Sequence, residues 1–124
     1  DNTWTELAVL QRGRIHNAAE VFANRFVTAF GDAENLPGDP NGCRTPEASA
    51  GQSPINEVLS LNLLTNQWSS VNAQGGPGPL KRVMSTRVGN RMYVVGGYNF
   101  LCPDGPTTLG FPVWNTNMYS LRLV

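Results

Sequence analysis

The end of this chain reads as the first half of a β-hairpin whose second half is its beginning, and an unbroken copy of the same hairpin sits in the middle. Val58-Leu59-Ser60-Leu61-Asn62-Leu63-Leu64, continued by Thr65-Asn66-Gln67-Trp68-Ser69-Ser70-Val71, aligns without a gap on Met118-Tyr119-Ser120-Leu121-Arg122-Leu123-Val124, continued by Asp1-Asn2-Thr3-Trp4-Thr5-Glu6-Leu7. A repeat protein cut inside one unit has this form. The cut leaves two complementary strand edges that another copy can fill, so self-assembly is the first expectation.

A second block repeats in the same order. Ala23-Asn24-Arg25-Phe26-Val27-Thr28-Ala29-Phe30-Gly31 aligns with Gly89-Asn90-Arg91-Met92-Tyr93-Val94-Val95-Gly96-Gly97 at a spacing of 66, while Trp4 and Trp68 are 64 apart. Each unit then holds a strand ending near Val21 or Val88, a turn at Asn24-Arg25 or Asn90-Arg91, and a strand ending in Gly. A long loop and a third strand follow, with Leu59, Leu61 and Leu63 on one face, and a fourth strand carries the Trp. With 13 Gly and 9 Pro in 124 residues, short strands and turns are favoured over long helices. Nine basic residues balance nine acidic ones without a basic block, which argues against a nucleic-acid surface. No apolar run approaches the roughly 20 residues of a membrane-spanning helix. The chain starts at Asp1 without an initiator Met, the expectation for a processed piece from which a signal peptide has been removed.

Four short antiparallel strands per unit, with glycines and a Trp at fixed offsets, form the pattern of a propeller blade. These residues resemble the kelch repeat, the blade unit also found in galactose-oxidase-type propellers. The second unit carries the resemblance best, through Gly89 to Gly97 with Tyr93 and the pair Gly96-Gly97, and through Asn66-Gln67-Trp68 in the Trp strand. The first unit departs from it: Phe30 stands where the first glycine would be, before Gly31, and Val27 stands in place of the tyrosine. Arg14 and His16, and likewise Lys81 and Arg82, only approximate the Arg and His that precede the family's first strand.

The resemblance implies an all-β chain of two kelch-like four-stranded blades, circularly offset. Residues 1–7 would be the Trp strand of a preceding blade, 14–71 blade one, and 83–124 blade two without its last strand. The N-terminal strand would then complete the last blade of a neighbouring copy. Two blades cannot close a ring, and propellers need about four to eight. Head-to-tail contact gives a ring or a filament, and three copies making six blades is the expected assembly, with a tandem array or fibre as the alternative. Trp4 and Trp68 are then blade-packing residues, and the paired glycines permit close backbone approach near the axis.

Functional residues are sparse. Cys43 and Cys102 fall in the long loops Asp32–Pro54 and Tyr98–Val113, on what would be one face, and are expected to be oxidised within or between copies, which points to a secreted, extracellular protein. No cofactor is expected, and two cysteines without paired histidines do not make a zinc site. The copper oxidases of this fold use two His and two Tyr, whereas His16 is the sole histidine here. The acidic run Gly31 to Gly42 has oxygen ligands but departs from the EF-hand spacing and reads rather as a solvated turn. For binding, Arg12, Arg14, Lys81 and Arg82 are placed near the axis, opposite in sign to Asp32, Glu34, Asp39, Glu47 and Asp104 in the loops, an arrangement that suits either anionic ligands or salt bridges between blades. Tyr98, Phe100 and Trp114 offer aromatic platforms in the second loop. The expected function is therefore a non-enzymatic structural or protein-interaction module that assembles with itself. A carbohydrate-binding lectin using the loop face is the alternative, and an enzyme on that face the third.

Overall fold

The computed structural model describes residues 2–34, 52–101 and 109–123. Every regular element among them is a strand: β1 (Arg14–Ile15), β2 (Ala18–Phe22), β3 (Arg25–Ala29), β4 (Asp32–Glu34), β5 (Gln52–Pro54), β6 (Val58–Asn62), β7 (Gln67–Ser70), β8 (Met84–Val88), β9 (Arg91–Val95), β10 (Tyr98–Leu101), β11 (Phe111–Trp114) and β12 (Met118–Arg122). The chain is all-β, as expected. Its sheets are antiparallel and none closes on itself. No helix among the described residues is long and apolar enough to cross a membrane.

Two sheets dominate. The first has the order β2-β3-β6-β7 and the second β8-β9-β12, with β9 in the middle. Their starts show why the repeat was visible: β2 and β8, β3 and β9, and β4 and β10 each begin 66 residues apart. The backbone repeats as well. Positive φ occurs at His16 and Arg82 (both 57°), at Ala23 and Gly89 (49° and 60°), at Phe30 and Gly96 (61° and 75°) and at Gly31 and Gly97 (102° and 81°), every pair again 66 apart. Phe30 thus accepts the left-handed conformation that a glycine provides in the other unit, a strained choice for a residue with a Cβ. Its ring is buried in the core, and that burial offsets the strain.

The long segments between the second and third strands of each unit are not irregular at their bases. Asp32↔Pro54, Ala33↔Ser53 and Glu34↔Gln52 pair β4 with β5, and Tyr98↔Trp114 through Leu101↔Phe111 pair β10 with β11. Each expected loop is instead flanked by paired strands, β4 and β5 in a sheet with β1, and β10 with β11 in a sheet of two. The Asp, Pro and Asn residues within these strands disguised them, since such residues are depleted from strands. Cys43 and Cys102, with Asp39, Glu47 and Asp104, lie outside the described residues.

Strand register determines which faces meet, because directly opposed residues share a face and neighbours along a strand alternate. One face of the first sheet carries the row Ala18, Ala29, Val58, with Val27 and Phe22 beyond it. The second sheet turns Met92 and Val94 toward it, and together with Phe30, Leu80 and Leu123 these residues form the main core. Polar contacts follow the same seam: Ser85 Oγ donates to Glu20 Oε1 at 3.0 Å, and the Arg87 guanidinium lies 5.8 Å from the Phe22 ring centroid. At one end of the seam the backbones join directly, Arg82 N–H donating to His16 O (2.9 Å) and Gly31 N–H to Leu80 O (2.8 Å). The two units therefore touch through different faces of the same repeat.

Candidate functional site

Two places collect the residues singled out in the sequence. The first lies beside the β10–β11 hairpin. Alternation along Tyr98-Asn99-Phe100 buries both rings, and Trp114, opposite Tyr98 in the register, stacks at 4.9 Å between centroids with a tilt of 56°. Arg82 lies 6.0 Å above the Tyr98 ring. Arg82, Tyr98, Phe100 and Trp114 thereby line one pocket of about 340 Å³, with Gly97 and Pro112 at its margin. Of the three aromatic platforms expected to be open, only Trp114 is exposed, at 67%. Tyr98 and Phe100 form a small core of their own, because a two-stranded hairpin needs a packed face to hold it down.

The basic residues do not form a common anion site. Lys81 is buried, its Nζ 3.1 Å from Asp32 Oδ2 and between 5 and 6 Å from the ring centroids of Tyr98 (5.3 Å) and Phe100 (5.2 Å). It occupies the position that Ile15 holds in the first unit: Ile15 pairs with Asp32, and Lys81 with Tyr98, by the same antiparallel bridge. Arg12 and Arg14 share Glu57, Arg14 Nη2 at 3.2 Å from Oε2 and Arg12 Nη2 against Oε1. Salt bridging is thus the arrangement adopted by Arg12, Arg14 and Lys81, with Lys81 also against the Tyr98 and Phe100 rings, while Arg82 is among the residues that line the aromatic pocket. His16 contributes its carbonyl to the seam.

The second place is the free side of the second sheet. The sheet has three strands where the first has four, and β12 forms one of its two edges, on the side where β7 completes the first. In the first sheet, β7 sets Trp68 opposite Leu61 and edge-on to Phe26 at 6.4 Å. Trp68 Nε1 donates to Ala8 O (2.7 Å), and Ala8 N–H donates to Asn66 Oδ1 (2.9 Å). The matching position on the second sheet is a cleft of about 260 Å³ bounded by Met92, Tyr119 and Leu121 on one side and by Ala29 and Val58 on the other. Trp4, the sequence counterpart of Trp68, is wholly exposed, and residues 2–10 form no strand. Sequence matching singled out both tryptophans and Tyr93, which is half-buried on β9. The cleft itself had no sequence signal, because it exists only between two sheets.

No family model matches this sequence, and comparison with curated proteins finds no relative.

Proposed function

We propose that this chain is a non-enzymatic self-associating β-module whose units continue head to tail into a neighbouring copy, as blades of a kelch-like propeller. The observation that carries the reading is the row Met84, Val95, Met118. These residues are opposed in register across β8, β9 and β12, and all three are exposed. They correspond to Ala18, Ala29 and Val58 in the first sheet, the row covered by the second sheet. The occupant is readable from the internal seam. Where Arg87 meets Phe22 within the chain, a second copy in the same arrangement brings Val21 against Val88, two exposed apolar residues. Where Ser85 meets Glu20, it brings Ala19 against Thr86. Both substitutions keep the seam free of unpaired charge, which a buried contact requires.

Three copies then give six blades in a closed ring, with a filament as the open form of the same contact. Light scattering of the intact protein is expected to return a multiple of the 13.5 kDa chain mass, three being the favoured number. Met118→Glu is expected to shift the protein toward single chains while leaving its circular dichroism unchanged. A single chain of 13.5 kDa persisting at high concentration overturns the reading.

The aromatic pocket supports a second reading, carbohydrate binding on the loop face. The exposed indole of Trp114 suits stacking on the apolar face of a sugar ring. Titration with oligosaccharides is expected to change the tryptophan emission, and Trp114→Ala to abolish that change. A glycan array without hits removes this alternative.

A further inference from the structure

The open edge of β12 and the exposed Trp4 are two halves of one site. We infer that residues 2–7 of one copy pair antiparallel with β12 of the next and insert Trp4 into the cleft between the two sheets. The inference rests on the head-to-tail association proposed above and specifies how it is made.

The geometry comes from the complete first sheet. There Leu59↔Ser70, Ser60↔Ser69, Leu61↔Trp68 and Asn62↔Gln67 fix the register of the fourth strand. Carried to the second sheet, this register sets Tyr119 opposite Glu6, Ser120 opposite Thr5, Leu121 opposite Trp4 and Arg122 opposite Thr3 of the incoming copy. Leu121 already turns inward against the core, so Trp4 enters on the side where Met92 stands in the place of Phe26. The indole finds a cleft bounded by apolar side chains of both sheets, and a large ring buried there contributes much of the contact energy.

The polar end is specified as well. Ala8, which holds Trp68 Nε1 and Asn66 Oδ1 through its backbone, corresponds to Asn72 at the same spacing of 64 that relates Trp4 to Trp68. The Asn72 carbonyl therefore accepts Trp4 Nε1–H, and the Asn72 N–H donates to Asn2 Oδ1. Asn72 lies in the segment leaving β7, and the neighbouring Ala73 and Gln74 form the rim of the cleft. The donated strand also hides the N–H and C=O groups of β12, which an exposed sheet edge leaves available.

The test combines light scattering with a photo-crosslink. Trp4→Ala is expected to weaken association by about thirtyfold or more, the effect of losing a central interface tryptophan, with the fold of the single chain intact because Trp4 touches none of its core. Benzoylphenylalanine at position 4, irradiated in a mixture of heavy- and light-isotope copies, is expected to label Met92 or residues 119–121 of a different copy. If the wild-type protein does not associate at all, the proposed module itself fails. If it associates but Trp4→Ala binds as tightly as wild type, or the label falls within the same copy or elsewhere, the association stands and strand donation is wrong.

Discussion

Replacing Lys81 with methionine is expected to destabilise the fold by about 3–5 kcal/mol, because it leaves a buried carboxylate without its partner. The side chains of Lys81 and Asp32 are 1% and 2% exposed. Asp32 Oδ1 already has no hydrogen-bond partner, so Lys81 is the chief compensation for that charge. The pair also joins the two units, since Asp32 belongs to β4 and Lys81 precedes β8. Removing both charges is a different experiment. Lys81→Met combined with Asp32→Leu is expected to recover most of the loss, as apolar replacements of buried ion pairs commonly do. Urea denaturation of the four proteins of this cycle checks the expectation. A single Lys81→Met variant within 1 kcal/mol of wild type, on the scale of an exposed pair, would show that water reaches Asp32.

Gly97→Ala is the second large effect expected. A Cβ there meets Lys81 O at 2.6 Å and Val83 Cγ1 at 2.8 Å, on a backbone with φ +81°. The left-handed conformation costs a residue with a Cβ roughly 1–2 kcal/mol, and forcing the neighbouring strand away adds about 1–3 kcal/mol. Gly31→Ala should behave alike, since its Cβ meets Ile15 O at 2.7 Å and Asn17 Cβ at 2.8 Å. Gly96 provides the control. Its φ is also positive, but nothing lies within 4 Å of its Cβ position, so Gly96→Ala retains only the conformational cost of about 1–2 kcal/mol. Equal midpoints for Gly96→Ala and Gly97→Ala in thermal denaturation would contradict the close approach.

Much of this architecture was readable because it is written twice. The Asn-Arg turns, the strands around Val27 and Tyr93 and the terminal glycines recur at one spacing, and the structure returns the same spacing in its strands and its φ angles. The β10–β11 hairpin was less legible, although the alternation Tyr98-Asn99-Phe100 is a strand signal. Pro103 and Pro106, with Pro112 inside β11, outweighed it as loop markers. The burial of Lys81 was not readable at all. Lysine is rarely buried, and its partner Asp32 is 49 residues away. Arg14 likewise has a buried side chain, and its partner Glu57 is 43 residues away. Side chains whose environment is made by distant charges leave no local pattern.

The strained Phe30 has a consequence for how such an assembly comes apart. Within one chain the seam between units is filled by Phe30 from the first unit and Leu80 from the second. Between copies of the proposed assembly the repeat spacing would put Gly96 and Arg14 in the same two places, and these supply far less apolar surface. A ring built in the proposed way would therefore alternate strong and weak seams, the weak ones lying between the second unit of one copy and the first unit of the next. In that ring the seams between copies would be expected to part before any two-unit piece unfolds. The substitution that breaks the perfection of the repeat is thus the one that gives it a grain, marking in advance the line along which it splits.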